Sequence, residues 1–191
     1  AGKHQDMTRV YDVANIQGNV SMCVNKYILE QVLHAYDNNL EIGCLLPREG
    51  YAVPPYPKHL EENDPLVIKW RIDCKRIIDK NNYTKGSRIG IAKTIWMAKK
   101  YKDEPNLYFP KQLDFRGRVY DRVPFLNSQG NDISRALLQF TNGKIIKTEE
   151  DLNWLKIHGA NMFGIKQDFQ TKIDWVNNNL KTIYAIGTDC W

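Results

Sequence analysis

Two arginines on either side of one glycine, Arg116, Gly117 and Arg118, form the stretch whose types and spacing most suggest chemistry. They lie between aromatic and β-branched runs that predict short strands. Two guanidinium groups can give bidentate hydrogen bonds to a phosphate chain, and the glycine between them lets the backbone approach that chain closely. The alternative is a hairpin turn whose arginines point into water. The spacing alone does not decide between the two.

Two neighbours of these arginines are further candidates. Asp114 precedes Arg116 by two residues. Its carboxylate can orient an arginine, or it can cap the turn with no further role. Tyr120 follows the arginines and can either stack on a base or sugar or pack against the sheet, of which packing is slightly favoured.

Basic residues are concentrated in one part of the chain. The net charge is only +5, but residues 66–122 hold 15 Lys and Arg against 6 Asp and Glu. Aromatic residues are interleaved with them, which is typical of a surface that follows phosphates and stacks bases. Arg88 and Lys93 are candidates here for binding nucleic acid, and the alternative is ordinary solvated helix surface.

The pattern of apolar residues predicts an α+β fold that is mainly helical, with a small antiparallel sheet around the arginines. The proline-rich segment, residues 42–60, is predicted to be an ordered, extended connection. Helix N-caps are predicted at Asp64, which precedes Pro65, and at Asp132, and capping boxes are predicted at Thr148 with Asp151 and at Thr171 with Asp174. The predicted helices cover residues 11–36, 64–81, 87–102, 132–140, 148–163 and 171–187, and the predicted strands lie within 106–109 and 115–123.

Composition limits the class of protein. A chain of 191 residues with 42% hydrophobic residues can fold as one domain or as a piece of a larger protein. Its four cysteines are too far apart for a zinc site and suggest no disulfide framework, so they are predicted to be reduced. No apolar run is long enough to span a membrane, and no signal or transit pattern opens the chain. These observations predict a cytoplasmic protein.

Longer stretches carry a resemblance to a known family. YFPKQLDFRGRVY, LNSQGNDISRALLQF and WLKIHGANMFGIK follow one another in the chain. Together they closely resemble the single-subunit, bacteriophage-type DNA-directed RNA polymerases, a family that includes mitochondrial and chloroplast enzymes. Looser similarity, in the same order, covers NIQGNVSMCVNKYILEQV, the proline-rich segment and SRIGIAKTIWMAKKY. The resemblance implies that residues 1–191 are one unit, the N-terminal portion of a right-hand polymerase core of palm, thumb and fingers.

The resemblance also implies roles for particular residues. Arg116 and Arg118 match an element whose arginines contact the template strand and the nascent hybrid, which holds a polyanion without reading its bases. Lys156 matches the family lysine that reaches the triphosphate of the incoming nucleotide. On a helical wheel Lys156 flanks an apolar face that is expected to be buried. That face is made by Leu152, Leu155, Gly159 and Met162.

The metal chemistry of the family is expected elsewhere. Its two Mg²⁺-binding aspartates lie downstream of the matched segment, so this chain is expected to hold no metal and no catalytic residue. The resemblance predicts the small subunit of a two-chain phage polymerase, whose partner chain carries the aspartates. Template DNA, nascent RNA and nucleoside triphosphates are the other expected partners, with no membrane, in the cytoplasm of an infected bacterium.

Two alternatives to a natural small subunit remain open. The chain can be an excised fragment of a one-chain polymerase, or a free-standing nucleic-acid-binding module that has lost the chemistry. Co-purification with a second chain that bears the acidic motifs would separate the subunit from the module.

Overall fold

The structure, a computed structural model that describes residues 6–188, is an α+β fold made mainly of helices. Its strands form two small antiparallel sheets. None of the helices within residues 6–188 combines the length and the apolar character needed to cross a bilayer. The elements are α1 (Thr8–Gly18), β1 (Met22–Val24), α2 (Lys26–Asp37), α3 (Pro65–Tyr101), β2 (Lys111–Leu113), β3 (Val119–Asp121), α4 (Asp132–Ala136), β4 (Leu138–Phe140), α5 (Glu149–Phe163), α6 (Phe169–Asn178) and α7 (Leu180–Thr188).

The predicted helix over residues 11–36 is wrong in its middle. The chain forms α1 and α2 with β1 between them. Val24 of β1 faces Leu138 of β4 in an antiparallel pair. The side chain of Asn25 then caps α2, accepting the N–H of Ile28 at 3.1 Å. The strand forms because Met22–Val24 can pair with a segment that is far away in the sequence, which no local pattern shows.

The longest element is α3, a single helix of 37 residues where two were predicted. Asp64 caps it as expected, accepting the N–H of Leu66 at 2.7 Å, and Pro65 is its first residue. The helix continues through Asn81 and Gly86 because no proline interrupts it. One glycine inside a helix costs only about 1 kcal/mol.

The proline-rich segment lies along α3 without regular secondary structure, which confirms the prediction of an ordered, extended connection. The side chain of Asn81 holds Tyr51 by its N–H at 2.8 Å and by its carbonyl at 2.9 Å. Further along, the indole N–H of Trp70 donates to the carbonyl of Pro54 at 3.0 Å. These contacts tie the segment to α3 in antiparallel order, since later residues of the segment meet earlier residues of the helix.

The predicted helix over 132–140 is also shorter than expected. It ends at Ala136, and Leu138–Phe140 form β4. Its cap is Asn131 and not Asp132, because the Asn131 side chain accepts the N–H of Ser134 at 2.9 Å. Leu137, at the junction of α4 and β4, is completely buried.

The packing divides the chain into two compact units, one running to Asn142 and the other from Gly143. The prediction that residues 1–191 act as one unit of a polymerase stays a prediction, because the compactness of two parts does not test it. The core of the first unit contains Val24, Leu29, Ile91, Ile95, Phe109, Leu126, Leu137 and Leu138.

In the second unit, the capping box predicted for α5 is confirmed. The hydroxyl of Thr148 accepts the N–H of Asp151 at 3.2 Å, and the Asp151 carboxylate accepts the N–H of Thr148 at 3.0 Å. The helix ends at Gly164, whose φ of +102° places it in the left-handed region that glycine favours. Both ends of α5 are therefore set by local sequence.

The prediction for the last helix is wrong at its start and in its middle. Asp168 caps α6 by accepting the N–H of Thr171 at 3.0 Å, so Thr171 lies inside the helix and is not its cap. The helix ends at Asn178, with Asn179 as its C-cap, and α7 follows. A run of three asparagines, residues 177–179, favours this stop because asparagine is a poor helix former. Two ring contacts join α5 to α6: Trp154 with Phe169 at 5.5 Å and Phe163 with Trp175 at 4.6 Å between centroids.

Candidate functional site

The two candidate arginines lie on the turn of a β-hairpin. Strands β2 and β3 pair antiparallel, and Leu113 faces Val119 at the end next to the turn. The N–H of Gly117 donates to the carbonyl of Asp114 at 3.0 Å, and Gly117 has a φ of +78°. Only glycine adopts this conformation without strain, so the turn itself explains the residue. The space around Gly117 is open, which leaves its backbone accessible.

The carboxylate of Asp114 organises this turn. One oxygen accepts the backbone N–H groups of Arg116 and Arg118, each at 2.9 Å. The other accepts Nε of the Arg116 side chain at 3.0 Å. The hydrogen bond from the Arg118 backbone, with those from Arg116, holds the pKa of Asp114 below its usual range. Asp114 therefore both caps the turn and orients Arg116, while its predicted part in nucleic-acid binding stays a prediction.

The remaining side chains of the turn face solvent. Within residues 6–188, no carboxylate pairs with the Arg118 guanidinium, which is exposed. The ring of Phe115 is 97% exposed, and the Arg116 guanidinium lies 5.4 Å from its centroid. An exposed aromatic ring beside two arginines can stack on a base. The sequence shows Phe115 only as one aromatic residue among several, although its position between Asp114 and Arg116 is distinctive.

A buried ion pair closes the base of the hairpin. Asp121 of β3 faces Lys111 of β2, and their side chains are hydrogen-bonded; the Asp121 side chain is 1% exposed and that of Lys111 14%. The other oxygen of Asp121 accepts both the N–H of Ser128 at 2.9 Å and its hydroxyl at 2.6 Å. Gln129 joins the same cluster, accepting the N–H of Asp121 at 2.8 Å and donating to the carbonyl of Val119 at 3.0 Å. We call Lys111, Asp121, Ser128 and Gln129 the hairpin-base cluster.

The hairpin-base cluster was not predicted from the sequence, because it depends on the register of β2 against β3. Burial of the Asp121 carboxylate favours its neutral form. The hydrogen bonds from Lys111 and Ser128 outweigh burial, so the pKa of Asp121 lies below its usual range. The ionised carboxylate therefore stabilises the hairpin that presents the arginines.

The other candidates of the first unit contact different parts of it. Tyr120 is half-buried in β3, opposite Gln112. Lys93 lies over the ring of Phe125 at 4.9 Å. Arg88 instead donates to the carbonyl of Leu46 in the proline-rich segment. The structure thus does not collect Arg88 and Lys93 into one cluster, and their binding roles stay predictions.

Lys156 lies in α5, in the second unit, and is half-buried. The expectation that the apolar face beside Lys156 is buried is wrong, because Leu155 is 53% exposed and Met162 is 70% exposed. The buried residues of α5 are Ile157 and Ala160. The wheel of one helix cannot show which of two apolar faces packs against α6. The role of Lys156 toward a triphosphate stays a prediction.

One buried polar atom near Lys156 has no hydrogen-bond partner among the described residues. Oδ1 of Asn153, three residues earlier in α5, is buried and accepts no hydrogen bond from the described residues. Because an unpaired buried carbonyl oxygen is unfavourable, this side of the helix suits a donor that the described chain does not provide.

Acidic metal ligands are not grouped in the described part of the chain. Residues 6–188 contain no set of three or more His, Cys, Asp or Glu residues placed to hold a metal ion. The described residues therefore do not fit a Mg²⁺ site, and no step assigned to them involves the ion.

Comparisons with known proteins find similarity to RNA polymerases. A family model described as DNA-dependent RNA polymerase matches residues 146–191. The DNA-directed RNA polymerase of Enterobacteria phage T3 is 31% identical over 185 residues, which is 96% of this chain. The chain is thus similar, along nearly its whole length, to DNA-directed RNA polymerases of the phage and mitochondrial kind. Mitochondrial members are equally similar: DNA-directed RNA polymerase 1 of Arabidopsis thaliana is 33% identical over 94% of this chain, and the Schizosaccharomyces pombe enzyme 30% identical over 96%.

The chain corresponds to a small part of these relatives. It spans 21% of the phage T3 polymerase, 18% of the Arabidopsis thaliana polymerase and 16% of the Schizosaccharomyces pombe polymerase. The similarity covers nearly all of the chain. It includes α5 and the hairpin turn that holds Arg116, Gly117 and Arg118, which we call the arginine turn. The similarity therefore concerns this segment of a polymerase, and the activity of a whole polymerase is a matter for proposal.

Asp121→Asn should destabilise the first unit by about 2–4 kcal/mol, because it leaves the buried Lys111 ammonium without its counter-charge. The pKa of Asp121 is lower in the folded state than in the unfolded state. Its contribution is therefore present at neutral pH and is lost as the pH falls below about 4. Urea unfolding at several pH values measures the free energy of unfolding of the unchanged chain and of Asp121→Asn. The difference between these two free energies should become smaller as the pH is lowered.

Asp132→Asn is the matched control for this measurement. Asp132 pairs with Arg135, but its side chain is 82% exposed, so the change should cost less than about 1 kcal/mol. Equal losses for the two variants at neutral pH would contradict the importance of the hairpin-base cluster.

Proposed function

We propose that this chain is a portion of a phage-type RNA polymerase, the small subunit of a two-chain enzyme. It holds the template strand and the nascent hybrid with Arg116 and Arg118, and it reaches the triphosphate of the incoming nucleotide with Lys156. The metal-binding aspartates are on a partner chain. The observation that carries this proposal is the arginine turn, within a segment similar to these polymerases along 96% of its length.

The geometry of the turn supports binding of a nucleic-acid backbone. Asp114 fixes the backbone of both arginines before any ligand arrives, so little conformational entropy is lost on binding. The exposed guanidinium of Arg118 is available for two parallel hydrogen bonds to phosphate oxygens. Contacts of this kind fix position without reading sequence, as a template-directed enzyme requires at every step. Asp114, Gly117 and Tyr120 support the turn and its strand.

The surroundings of Lys156 support a contact with a triphosphate. Its side chain is half-buried and forms no ion pair with the described residues. A partly desolvated ammonium without a counter-charge attracts an anion more strongly than a fully hydrated one. We also propose that Arg88 and Lys93 contact template or downstream duplex, supported by the concentration of basic residues around them.

The second unit supports the need for a partner. Its fully buried side chains are few, while several large apolar ones are open to solvent. The exposed set includes Leu155, Met162, Phe163, Tyr184 and Ile186. The proposed catalytic chain covers these residues, contributes the rest of the right-hand fold and holds Mg²⁺ for nucleotidyl transfer. Likeness to the phage T3 enzyme supports the cytoplasm of an infected bacterium as the setting.

Arg116→Ala and Arg118→Ala should each weaken binding of the assembled enzyme to primed template and lower the slope of log affinity against log salt by about 1. The loss should be the same for different template sequences, since phosphates and not bases are contacted. Arg76→Ala removes an arginine that is 78% exposed on α3 and is the control. If both turn variants kept the affinity for primed template and the rate of primer extension unchanged, the proposed role of the two arginines would be contradicted.

Lys156→Ala should lower kcat/KM for nucleotide addition about ten- to a hundredfold, the value of one charge-assisted contact of roughly 1.5–3 kcal/mol. Template affinity should barely change. Extension assays over a nucleotide series, on the assembled enzyme, measure the effect. Lys166→Ala, an exposed lysine beyond the end of α5, is the control. Small, equal effects at both positions would contradict the role of Lys156.

The chain alone should synthesise no RNA, and synthesis with Mg²⁺ should appear when the catalytic chain is added. Runoff synthesis from a primed template, with each chain alone and with both, measures this. Synthesis by the isolated chain would contradict the division of the site between two chains. Purification as a lone monomer that binds nucleic acid but recruits no catalytic chain would instead favour a free-standing binding module.

A further inference from the structure

Strand β3 has one edge paired with β2 and a second edge that no strand of the described chain covers. In an antiparallel pair, the backbone groups of successive residues point alternately to the two edges. The N–H of Arg122 donates to the carbonyl of Pro110 at 2.8 Å, on the side of β2. The backbone groups of Val119 and Asp121 therefore point to the uncovered edge, where they need other partners.

The side-chain amide of Gln129 supplies these partners. Its Nε2 donates to the carbonyl of Val119 at 3.0 Å, and its Oε1 accepts the N–H of Asp121 at 2.8 Å. A residue of a parallel neighbouring strand would bond to the same two groups, one on either side of Tyr120. The amide thus takes the place of one residue of a third strand. This matters because a sheet of two short strands is only marginally stable in water.

The main chain of Gln129 is also held in place. Its N–H donates to Oδ1 of Asn127 at 3.0 Å, and Nδ2 of Asn127 donates to the carbonyl of Val123 at 2.9 Å. The N–H of Asn127 donates to the hydroxyl of Ser134 at 2.8 Å, and Ser134 is a completely buried residue of α4. Gln129 therefore connects the core, through α4, to the outer edge of β3.

The residue after Gln129 fixes the distance between this loop and α4. A Cβ atom at Gly130 would lie 2.8 Å from Oγ of Ser134 and 2.9 Å from its Cβ, which is closer than side chains approach one another. Only glycine lets the loop lie this close to the helix. The loop consequently has a defined position against α4, and the Gln129 amide gives β3 a defined position against the loop.

Of the two arginines, Arg118 depends more on the position of β3. It directly precedes Val119, and its carbonyl accepts the N–H of Asp114 at 2.9 Å. The carboxylate of Asp114 bonds the Arg116 side chain, whereas no carboxylate of residues 6–188 pairs with the Arg118 guanidinium. The direction in which the Arg118 side chain leaves the turn is therefore set by its backbone alone.

We propose that Gln129 is a positioning residue for the contact of Arg118 with the template strand. The amide holds β3 against the loop on α4, so the Arg118 guanidinium is already in place when a phosphate arrives. Order that exists before binding reduces the conformational entropy lost on binding. The inference rests on the proposed function, since it takes Arg118 to bind the template, and it adds the residue that places this arginine.

The test uses Gln129→Met, which keeps the length of the side chain and removes both hydrogen-bonding groups. Anisotropy of a fluorescently labelled primed template measures binding by the assembled enzyme over a salt series. Affinity should fall about three- to tenfold, the value of one net hydrogen bond. The slope of log affinity against log salt should stay unchanged because the charge of Arg118 is retained, whereas Arg118→Ala should lower it by about 1.

A double-mutant cycle tests whether Gln129 acts through Arg118. When Arg118→Ala is already present, Gln129→Met should weaken template binding by less than about 1.5-fold, because coupled residues have non-additive effects. A residue that only stabilises the fold would weaken binding equally with and without Arg118.

Hydrogen exchange of the 191-residue chain gives a second readout, which needs neither template nor a partner chain. Gln129→Met should speed exchange in the segment 114–122 at least about threefold, since the N–H of Asp121 loses its acceptor. Exchange in α5, which lies in the other compact unit, should not change.

Two control variants separate positioning from other effects. Gln112→Met makes the same change at an exposed glutamine of β2 and should alter neither template affinity nor exchange. Asn25→Ala removes the cap of α2, a loss of stability of similar size outside the hairpin, and should leave template affinity unchanged. Thermal melting by circular dichroism measures the stability of each variant.

Four results would overturn the inference: unchanged exchange in Gln129→Met, faster exchange without a loss of affinity, equal weakening with and without Arg118, or equal weakening by Asn25→Ala. Arg118→Ala separates this inference from the proposed function. If Arg118→Ala weakens template binding and Gln129→Met does not, the polymerase proposal stands and the positioning role fails. If Arg118→Ala has no effect, the template contact of the turn fails, and the positioning role fails with it.

Discussion

The arginine turn depends on one buried carboxylate. Asp121 joins β2 to β3 through Lys111 and joins both strands to the following loop through Ser128. Each strand has only three residues, and two such short strands are not stable alone in water. The charged hydrogen bonds of Asp121 at the base of the hairpin add the stability that so few backbone hydrogen bonds cannot provide. A second carboxylate, Asp114, fixes the turn at the other end of the hairpin. An aspartate therefore holds each end, and the arginines of the turn face solvent.

Features set by neighbouring residues could be predicted from the sequence. The caps at Asp64 and at Thr148 with Asp151 were predicted correctly, because each cap is completed within four residues. A hairpin turn at Arg116–Arg118, and Asp114 as its cap or as the partner of an arginine, were alternatives that the sequence left open, and the hydrogen bonds that form the turn also join residues within four positions of each other. The mainly helical α+β class followed from the periodicity of apolar residues.

Features set by distant residues were missed. Strand β1 exists because Leu138–Phe140 pair with it, and the local pattern of residues 19–25 reads equally well as helix. The hairpin-base cluster requires the register that places Asp121 opposite Lys111. At Lys156 the resemblance found the residue, but the wheel chose the wrong buried face, because packing against α6 decides it. Pairing partners, register and the choice between apolar faces are properties of the assembled fold.

The union of α3 with the proline-rich segment has a mechanical consequence. A bare helix about 55 Å long bends easily over its length. Here a second, extended segment of chain is hydrogen-bonded to it, with Tyr51 at Asn81 and Pro54 at Trp70. Bending of α3 between Trp70 and Asn81 would stretch these hydrogen bonds, so this part of the helix resists bending more than a bare helix does. A displacement near Trp70 is therefore passed on to Asn81 as a movement of one stiff segment, with little bending in between.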